Sequence, residues 1–503
     1  MRKTKHKRGN HPMLIELNEH KKHMKEHKKE KKQLQAELMV LQQTIREHQL
    51  PVIILFEGWS FSGKGTFISE LMINFDFRHL TMHNVTPPTE EEMRHPFLWR
   101  HWNMLPKKGE ISILDCSWYQ DISAYPLLNQ ADEDKIKERT KEILQFERTL
   151  HDAGYIIIKF FLHIDDKTLK SRIDGLENNS ATRWRVTEKE KKQYHQYHHC
   201  YQIYQNMLES THTEIAPWHV VDASYLDEAS VFIFETVINT IQDSARQLEN
   251  KTWPILMPSE TYPILKYEPI QNVSLEQKIS DDDYDKQLKK LQKKLFDLQS
   301  HLYRQKIPAI FLFEGWDAAG KGGCINRVCQ SLDPRGYQVR QISAPSEEER
   351  QYHYLWRFWR SIPKTGHITI FDRTWYGRVL VEYIEQFCTK EEQIRAYSEI
   401  NELEKQLTDW GAVIVKFWLQ IDKDEQLKRF NDRQSTPSKQ WKITPEDWRN
   451  REKWDSYEIA VNQMLGHTST EFAPWHVVPT QCKKYGRIQV LEHIIHAIEQ
   501  KLQ

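Results

Sequence analysis

This chain of 503 residues lacks three features that would mark whole classes of protein: net charge, long apolar runs and paired cysteine motifs. Basic and acidic residues both number 71, which argues against generic binding of nucleic acid. No apolar run approaches the roughly 18 residues of a membrane span, so we expect no membrane protein. The six cysteines show neither C-x-x-C nor zinc spacing, which favours reduced thiols in a cytoplasmic protein. No apolar segment follows the basic N-terminus, so no secretory signal is expected.

What the chain does have is an internal repeat. Phe56–Gly65 matches Phe313–Gly322, which lies 257 residues later, and Ala216–Val221 matches Ala473–Val478 at the same offset. A period of this length is too long for a solenoid unit, so it indicates a duplicated domain. Hydrophobic residues make up 39% of the chain, enough for sizeable cores.

The repeat and the local composition predict four segments. These are a basic tail (1–12), an N-terminal domain (13–249), a linker (250–282) and a C-terminal domain (283–503). Four prolines between residues 250 and 272 favour an extended linker. Apolar residues at helical spacing predict a helical arm at the start of each domain, over 13–48 and 283–303. Residues 1–32 hold 12 basic and 4 acidic residues, which suits either a solvated tail or an electrostatic lure for a polyanion.

Apolar runs of strand length alternate with helical patterns in the second half. We predict strands at Ile307–Phe313, Ile368–Phe371, Ala412–Leu419 and Trp475–Val478. A helical pattern over Glu391–Trp410 lies between two of them. Such alternation predicts an α/β fold, with a parallel sheet flanked by helices on both faces.

The segment Gly315–Gly322 fits a phosphate-binding loop between a strand and a helix. Gly315 and Gly320 let backbone N–H groups curl around phosphate oxygens, and Lys321 bridges phosphates. The usual Ser or Thr after the lysine is replaced by Gly322. Asp317 adds a carboxylate inside the loop, which either holds Mg²⁺ through water or positions an attacking oxygen.

Further charged residues follow the next strong strand. Asp372 ends that strand, as a metal-binding carboxylate should, and Arg373, Arg378 and Glu382 come just beyond it. Farther along the chain, Arg429 and Arg433 share one helical face. They suit either a phosphate clamp or plain solvated charge.

Four motifs together resemble the polyphosphate kinase 2 family: Gly315–Gly323, Phe371–Glu382, Trp441–Asp447 and Ala473–Val478. The doubled architecture is similar to the fused branch of that family, the polyphosphate:AMP phosphotransferases. This resemblance implies two tandem P-loop kinase-like domains, each with a helical lid. It also implies transfer of a terminal phosphate of inorganic polyphosphate to AMP, giving ADP, with Mg²⁺ or alternatively Mn²⁺.

The resemblance also assigns roles to residues of the second half. The catalytic set it implies is Asp317, Lys321, Asp372, Arg373, Arg378, Glu382, Arg429 and Arg433. The phosphate-binding set is Gly315, Gly320, Lys321, Gly322 and Gly323. The metal ligands are Asp317 and Asp372.

The first half keeps only part of that set. Ser60, Cys116, Asp121 and Tyr125 stand where the second half has Asp317, Arg373, Arg378 and Glu382. Gly63, Lys64 and Asp115 are retained. Because loss of such charged groups typically costs orders of magnitude in rate, we predict that the N-terminal domain is catalytically degenerate and supports oligomerisation or guides polyphosphate.

Three other functions remain open from the sequence. The same donor would give ATP if ADP were the acceptor. The missing Ser or Thr after Lys321 disfavours an ATP-dependent nucleotide or nucleoside kinase. The charged residues Asp317, Arg373, Arg378 and Glu382 are all present in the second half, which disfavours a non-catalytic polyphosphate-binding protein. The partners expected are polyphosphate and AMP or ADP, with no nucleic acid and no membrane. A homo-oligomer is left open, as are the acceptor base, the direction in the cell and the preferred polyphosphate length.

Overall fold

The computed structural model describes residues 24–124, 132–256, 258 and 261–503. The predicted basic tail and the start of the first arm lie outside these residues. Within them the chain forms two compact units. The first comprises residues 24–87, 101–124, 132–256 and 351–353, and the second comprises 88–100, 258, 261–350 and 354–503.

The first half of the chain contributes β1 to β5 and α1 to α9. The strands are β1 (Val52–Gly58), β2 (Leu80–Asn84), β3 (Ile111–Asp115), β4 (Ile156–His163) and β5 (Trp218–Asp222). The helices are α1 (Met24–Glu47), α2 (Lys64–Met72), α3 (Trp99–Trp102), α4 (Gln120–Ser123), α5 (Glu133–Asp152), α6 (Asp166–Glu177), α7 (Glu188–His195), α8 (Tyr197–Thr211) and α9 (Leu226–Glu249).

The second half repeats this order with β6 to β10 and α10 to α18. The strands are β6 (Ala309–Gly315), β7 (Tyr337–Gln341), β8 (Ile368–Asp372), β9 (Val413–Gln420) and β10 (Trp475–Pro479). The helices are α10 (Asp281–Arg304), α11 (Lys321–Cys329), α12 (Trp356–Trp359), α13 (Val381–Ile384), α14 (Lys390–Asp409), α15 (Lys423–Ser435), α16 (Pro445–Glu452), α17 (Trp454–Thr468) and α18 (Lys483–Leu502).

Both units contain a five-stranded sheet of parallel pairs with the same strand order. The order is β2-β3-β1-β4-β5 in the first and β7-β8-β6-β9-β10 in the second. In the second sheet Phe313 of β6 is aligned with Asp372 of β8 and with Phe417 of β9. The carboxyl ends of these strands therefore meet at one edge, where α/β sheets bind ligands. The predicted parallel sheets with flanking helices are confirmed.

The helical arms pack through their apolar faces. In α1 the side chains of Leu34, Leu38, Leu41 and Ile45 are buried, and α1 packs against α9. In α10 the buried face includes Leu295, Leu298 and Leu302, and α10 packs against α18. Helical spacing predicted both arms because residues three and four apart share a face of the helix. Within the described part of the chain, no helix is long and apolar enough to cross a membrane.

Each sheet is tied to a flanking helix by one buried ion pair. In the second unit Lys416 of β9 donates to Glu404 of α14 at 2.7 Å and to the Tyr376 hydroxyl at 2.8 Å, and both charged side chains are fully buried. In the first unit Lys159 donates to Glu147 at 2.9 Å and to the Tyr119 hydroxyl at 2.8 Å. A buried charge of this kind requires its partner, so the pair fixes the helix against the strand.

Candidate active site

The loop between β6 and α11 is shaped by glycines. Gly315 has φ +148°, and a Cβ there would lie 2.7 Å from the carbonyl oxygen of Leu419 in the neighbouring strand. Gly320 has φ +110° and precedes the first residue of α11. Only glycine adopts these angles without strain, and at Gly315 only glycine fits against the strand. The loop is therefore held close to the sheet.

Lys321 folds back over this loop. Its Nζ donates to the carbonyl oxygens of Gly315 at 2.6 Å and Trp316 at 3.3 Å. It also begins α11, whose first backbone N–H groups have no partner within the helix. Free amides, the positive end of the helix dipole and an ammonium group together favour a bound anion. The predicted loop lies between the end of β6 and the first turn of α11, as the sequence indicated.

Asp317 lies at the centre of a polar cluster. Its Oδ1 is 3.4 Å from Nη2 of Arg373, and its Oδ2 accepts from Nδ2 of Asn450 at 2.9 Å. Arg373 is held at φ +63°, with its N–H donating to the carbonyl of Phe313 at 3.0 Å. Asp317 and Arg373 are 56 residues apart in the sequence. Their side chains meet because they follow β6 and β8, which are neighbouring strands.

Helix α16, which we call the lid helix, lies over the loop. Besides the contact from Asn450, Glu385 beyond β8 accepts from Lys453 at 2.8 Å and lies 3.6 Å from Arg449. The ring of Trp454 stacks on Trp316 of the loop, with ring centroids 3.6 Å apart. Arg449 and Asn450 belong to the lid helix, whereas Lys453 follows it and Trp454 begins α17. These contacts therefore hold the lid helix and the start of α17 at the loop.

A buried carboxyl group lies behind the loop. Glu314 accepts from the N–H of Thr374 at 2.7 Å and from its hydroxyl at 2.8 Å. Burial raises the pKa of Glu314 to about 7, against the opposing influence of Lys321. Sequence reasoning missed this residue. The available signal was a lone acidic residue in an apolar strand, present in both copies because Glu57 occupies the same place.

These elements enclose a cavity of about 300 Å³, which is room for a small ligand. Its wall includes five of the predicted residues: Gly315, Asp317, Lys321, Arg373 and Glu382. Opposite them are apolar side chains that include Phe358, Leu380 and Phe387. The lid helix contributes Glu446, Arg449 and Asn450, with Tyr457 beyond it. Glu446 lies in the motif Trp441–Asp447 but was given no role, and Arg449 and Asn450 were missed because no strand or loop signal points to them. Comparing the two copies would have drawn attention to Asn450, whose counterpart is Gln193.

The other predicted residues lie outside this cavity. Arg378 is bound by Glu382 at 3.0 Å and Glu392 at 2.9 Å, so it supports the cavity wall. Asp372 lies at the end of β8, directly before Arg373. Arg433 is half-buried near the end of α15.

Arg429 is buried behind the loop. Its guanidinium donates to Glu425, to the carbonyls of Ala318 and Ala319 in the loop, and to those of Thr480 and Gln481. All five contacts are between 2.7 and 3.1 Å, and a guanidinium has five N–H donors. In this geometry Arg429 braces the loop and offers no N–H group to a substrate.

The first unit repeats the loop without the polar cluster. Lys64 Nζ lies 3.4 Å from the carbonyl of Gly58 and 3.3 Å from that of Trp59. Cys116, with φ +62°, has the backbone conformation of Arg373 but a thiol side chain. Asp121 lies 3.7 Å from Arg139. The fourth predicted replacement, Tyr125, lies outside the described residues.

Comparison with known proteins gives a consistent result over both halves. The family model for polyphosphate kinase 2 matches residues 21–249 and 278–503. A polyphosphate:AMP phosphotransferase of Pseudomonas aeruginosa is 38% identical over 467 residues, 93% of each chain. A protein of the same name from Acinetobacter johnsonii is 33% identical and covers 93% of this chain and 94% of its own. A crystal structure described as a polyphosphate kinase 2 from Pseudomonas aeruginosa has a TM-score of 0.82 at 35% identity, covering 96% of this chain and 98% of its own. This chain therefore belongs to the polyphosphate kinase 2 family.

Proposed function

We propose that this chain transfers the terminal phosphate of inorganic polyphosphate to AMP, giving ADP, in the cavity of the second unit. The observation that carries the proposal is the meeting of Asp317, Lys321 and Arg373 at a phosphate loop within one cavity. The relatives named polyphosphate:AMP phosphotransferase align over nearly the whole chain, which supports AMP as the acceptor.

In the proposed reaction a phosphate oxygen of AMP attacks the terminal phosphorus of polyphosphate. A new P–O bond forms to AMP while the bond to the bridging oxygen of polyphosphate breaks, which leaves the polymer one phosphate shorter. No general base is required, since the phosphate of AMP is already ionised at neutral pH. Lys321 and the loop amides bind the transferring group, and Arg373 stabilises the charge that develops on it.

The acidic residues of the loop region fit a Mg²⁺ ion, with Mn²⁺ as an alternative. Asp317 and Asp372 would hold it, because Mg²⁺ is usually bound by one or two carboxylates together with phosphate oxygens and water. The described residues contain no cluster of three or more His, Cys, Asp or Glu ligands, so phosphate oxygens and water would have to supply most of the ligands. When bound, the ion neutralises charge on the phosphates.

We assign the remaining arginines to positioning. Arg378 fixes Glu382 at the cavity wall, and Arg429 braces the carbonyl side of the loop. We assign Arg433 no contact with substrate. The six cysteines are free thiols, which supports a reducing compartment such as the cytoplasm.

The test is incubation of the purified chain with Mg²⁺, long-chain polyphosphate and either AMP or ADP, followed by nucleotide chromatography, with ATP as a control donor. We expect ADP to form from AMP only when polyphosphate is present. Asp317→Asn should reduce this rate by at least about 100-fold, because it removes a charge at the reacting phosphates. Asp297→Asn, at an exposed position of α10, is the matched control.

Two outcomes would contradict the proposal. If ATP forms from ADP and no ADP forms from AMP, polyphosphate is still the donor but ADP is the acceptor. Transfer from ATP alone would assign the cavity to ordinary kinase chemistry.

A further inference from the structure

The first unit contains a pocket at its own phosphate loop. The pocket lies at the start of α2, and its wall includes Gly58, Ser60, Lys64 and Cys116. The loop backbone is the one seen in the second unit: Gly58 has φ +130° and Gly63 has φ +98°, against +148° and +110° for their counterparts. The first amides of α2, the helix dipole and the Lys64 ammonium therefore converge as they do in the second unit.

Two more lysines reach this pocket from helix α7, the counterpart of the lid helix. They are Lys189 and Lys192, which occupy the places of Glu446 and Arg449 in the second unit. Neither takes part in an ion pair within the described part of the chain, whereas the adjacent Lys191 pairs with Glu177 at 2.9 Å. Their charge is therefore available to a ligand.

Helix α7 is fixed over the loop by Gln193. Its Oε1 accepts from the N–H of Ser60 at 3.0 Å, and its Nε2 donates to the hydroxyl of Tyr204 at 2.7 Å. The ring of Tyr197 stacks on Trp59 with centroids 4.1 Å apart. Gln193 of α7 and Tyr197 at the start of α8 therefore hold this part of the chain against the loop. Lys189 and Lys192 extend from the helix that is held in this way.

The charge balance of the two pockets is opposite. The wall of the second-unit cavity contains five acidic residues, Glu314, Asp317, Glu382, Glu385 and Glu446, and three basic ones, Lys321, Arg373 and Arg449. The wall of the first-unit pocket contains three lysines and no carboxylate among the described residues. Two acidic groups lie beside the wall. Glu57 accepts from Ser117 at 2.8 Å and from Gln120 at 2.7 Å, and Oδ1 of Asp115 lies 3.8 Å from Sγ of Cys116.

Two further groups suit an anion. Burial raises the pKa of the Cys116 thiol to about 12, so this group remains neutral and does not offset the lysines. Ser62, which replaces Ala319, is fully buried in the loop, and its hydroxyl lacks a hydrogen-bond partner among the described residues. The loop of the first unit therefore has hydroxyl groups at two positions, Ser60 and Ser62, where the second unit has Asp317 and Ala319.

We propose that this pocket is a second oligophosphate site, which binds the anion without a metal ion and does not transfer phosphate. Ser60 and Lys189 replace Asp317 and Glu446, so the described part of the wall contains no carboxylate to bind Mg²⁺ or repel a phosphate. Of the two metal ligands assigned in the second unit, only Asp372 has an acidic counterpart, Asp115, which lies outside the wall. The choice of inorganic oligophosphate as the ligand rests on the proposed function, because inorganic polyphosphate is the donor in that reaction.

The experiment measures binding of inorganic tripolyphosphate to the full chain by calorimetry in buffer that contains EDTA. The parent protein is Lys321→Met, which weakens binding at the second unit. Adding Lys64→Met and Lys192→Met should weaken the remaining binding by at least about 100-fold, because each charge-assisted contact contributes about tenfold or more. Circular dichroism and the thermal midpoint verify that the variants are folded.

A second variant tests the charge balance while leaving the lysine of the loop in place. Ser60→Asp with Lys189→Glu copies the charges of the second unit, and it should weaken metal-free binding about tenfold or more. The matched control is Lys167→Met with Lys170→Met, two exposed lysines of α6, which should leave the affinity within about twofold.

The proposal is overturned if the Lys64 and Lys192 changes leave the affinity unaltered. It is also overturned if the α6 control loses as much affinity, since binding would then reflect diffuse surface charge. Failure of the proposed function has a different signature. In that case no ADP forms from AMP, yet binding in EDTA still depends on Lys64.

Discussion

The phosphate loops of the first and second units follow one backbone path and carry different side chains. The N–H groups of Cys116 and Arg373 both donate to a phenylalanine carbonyl at 3.0 Å, from residues with φ +62° and +63°. The first pocket has the half-buried thiol of Cys116 at this position, and the second has the guanidinium of Arg373. The fold therefore constrains the backbone at this position, while the side chain is free to change with the chemistry.

The cores show the opposite behaviour. The buried groups Lys159 and Glu147 in the first unit match Lys416 and Glu404 in the second, down to their tyrosine partner. Removal of one partner from a buried ion pair typically costs about 3–5 kcal/mol. Arg373 at the cavity is 43% exposed, so its replacement carries a smaller cost. Duplication followed by loss of activity would thus alter the pockets and leave the cores alone.

The largest effect that we predict compares the two carboxylates at the strand ends. Asp372→Asn should lower the rate of ADP formation by about 100- to 1000-fold, since a metal-binding carboxylate is lost. Asp115→Asn, its counterpart, should leave the rate within about twofold. Steady-state kinetics with AMP and polyphosphate measure both. An equal loss in the two variants would mean that the first unit also takes part in catalysis.

The second prediction concerns Glu314 and Glu57, whose pKa values are both raised to about 7 by burial. Between the ordinary pKa of 4.5 and about 7 the folded protein holds protons that the unfolded chain releases, so stability falls as the pH rises through this range. Each carboxyl group contributes up to roughly 3 kcal/mol to this fall in the free energy of unfolding. Replacing it by Gln removes that contribution.

Urea unfolding of Glu314→Gln and Glu57→Gln at pH 5 and pH 8 measures this effect. Each variant should lose less stability between the two pH values than the unaltered chain does. Because burial raises both pKa values to about 7, the two variants should behave alike. A difference between them would show that the two loops are electrostatically distinct behind the pocket as well as inside it.

The smallest effect that we predict concerns the lid helix. Asn450→Ala removes the hydrogen bond to Asp317 and should lower kcat/KM about tenfold, as expected for a contact to a charged group. Asn450→Asp should cost more, because it adds a like charge beside Asp317. Asn431→Ala, at an exposed position of α15, is the control. An unaltered kcat/KM in Asn450→Ala would remove the lid helix from the proposed mechanism.

Much of the fold was predictable from the sequence. The strands predicted at Ile307–Phe313 and Ala412–Leu419 were found at Ala309–Gly315 and Val413–Gln420. They are central and buried on both faces, so their sequences are almost wholly apolar. Strand β7 was missed because it lies at the edge of its sheet and is largely exposed, which leaves a polar sequence without a strand pattern.

The sequence by itself determined the duplication, the phosphate loops and the asymmetry between the two halves. These follow from short-range constraints: the loop needs glycine at particular backbone angles, and its lysine stands directly beside it. Motifs of this kind are readable because all their parts are neighbours along the chain.

Only the tertiary structure decided which distant side chains share the cavity. In the folded chain Asn450 donates to Asp317, and Glu314 is a buried carboxyl group that accepts from Thr374. Arg429 donates to carbonyl groups of the loop. The spacing of Arg429 and Arg433 places them on one helical face, but it does not predict which groups that face contacts. The direction of a side chain depends on how the helix packs against the sheet, and this is decided by the whole core rather than by the local sequence.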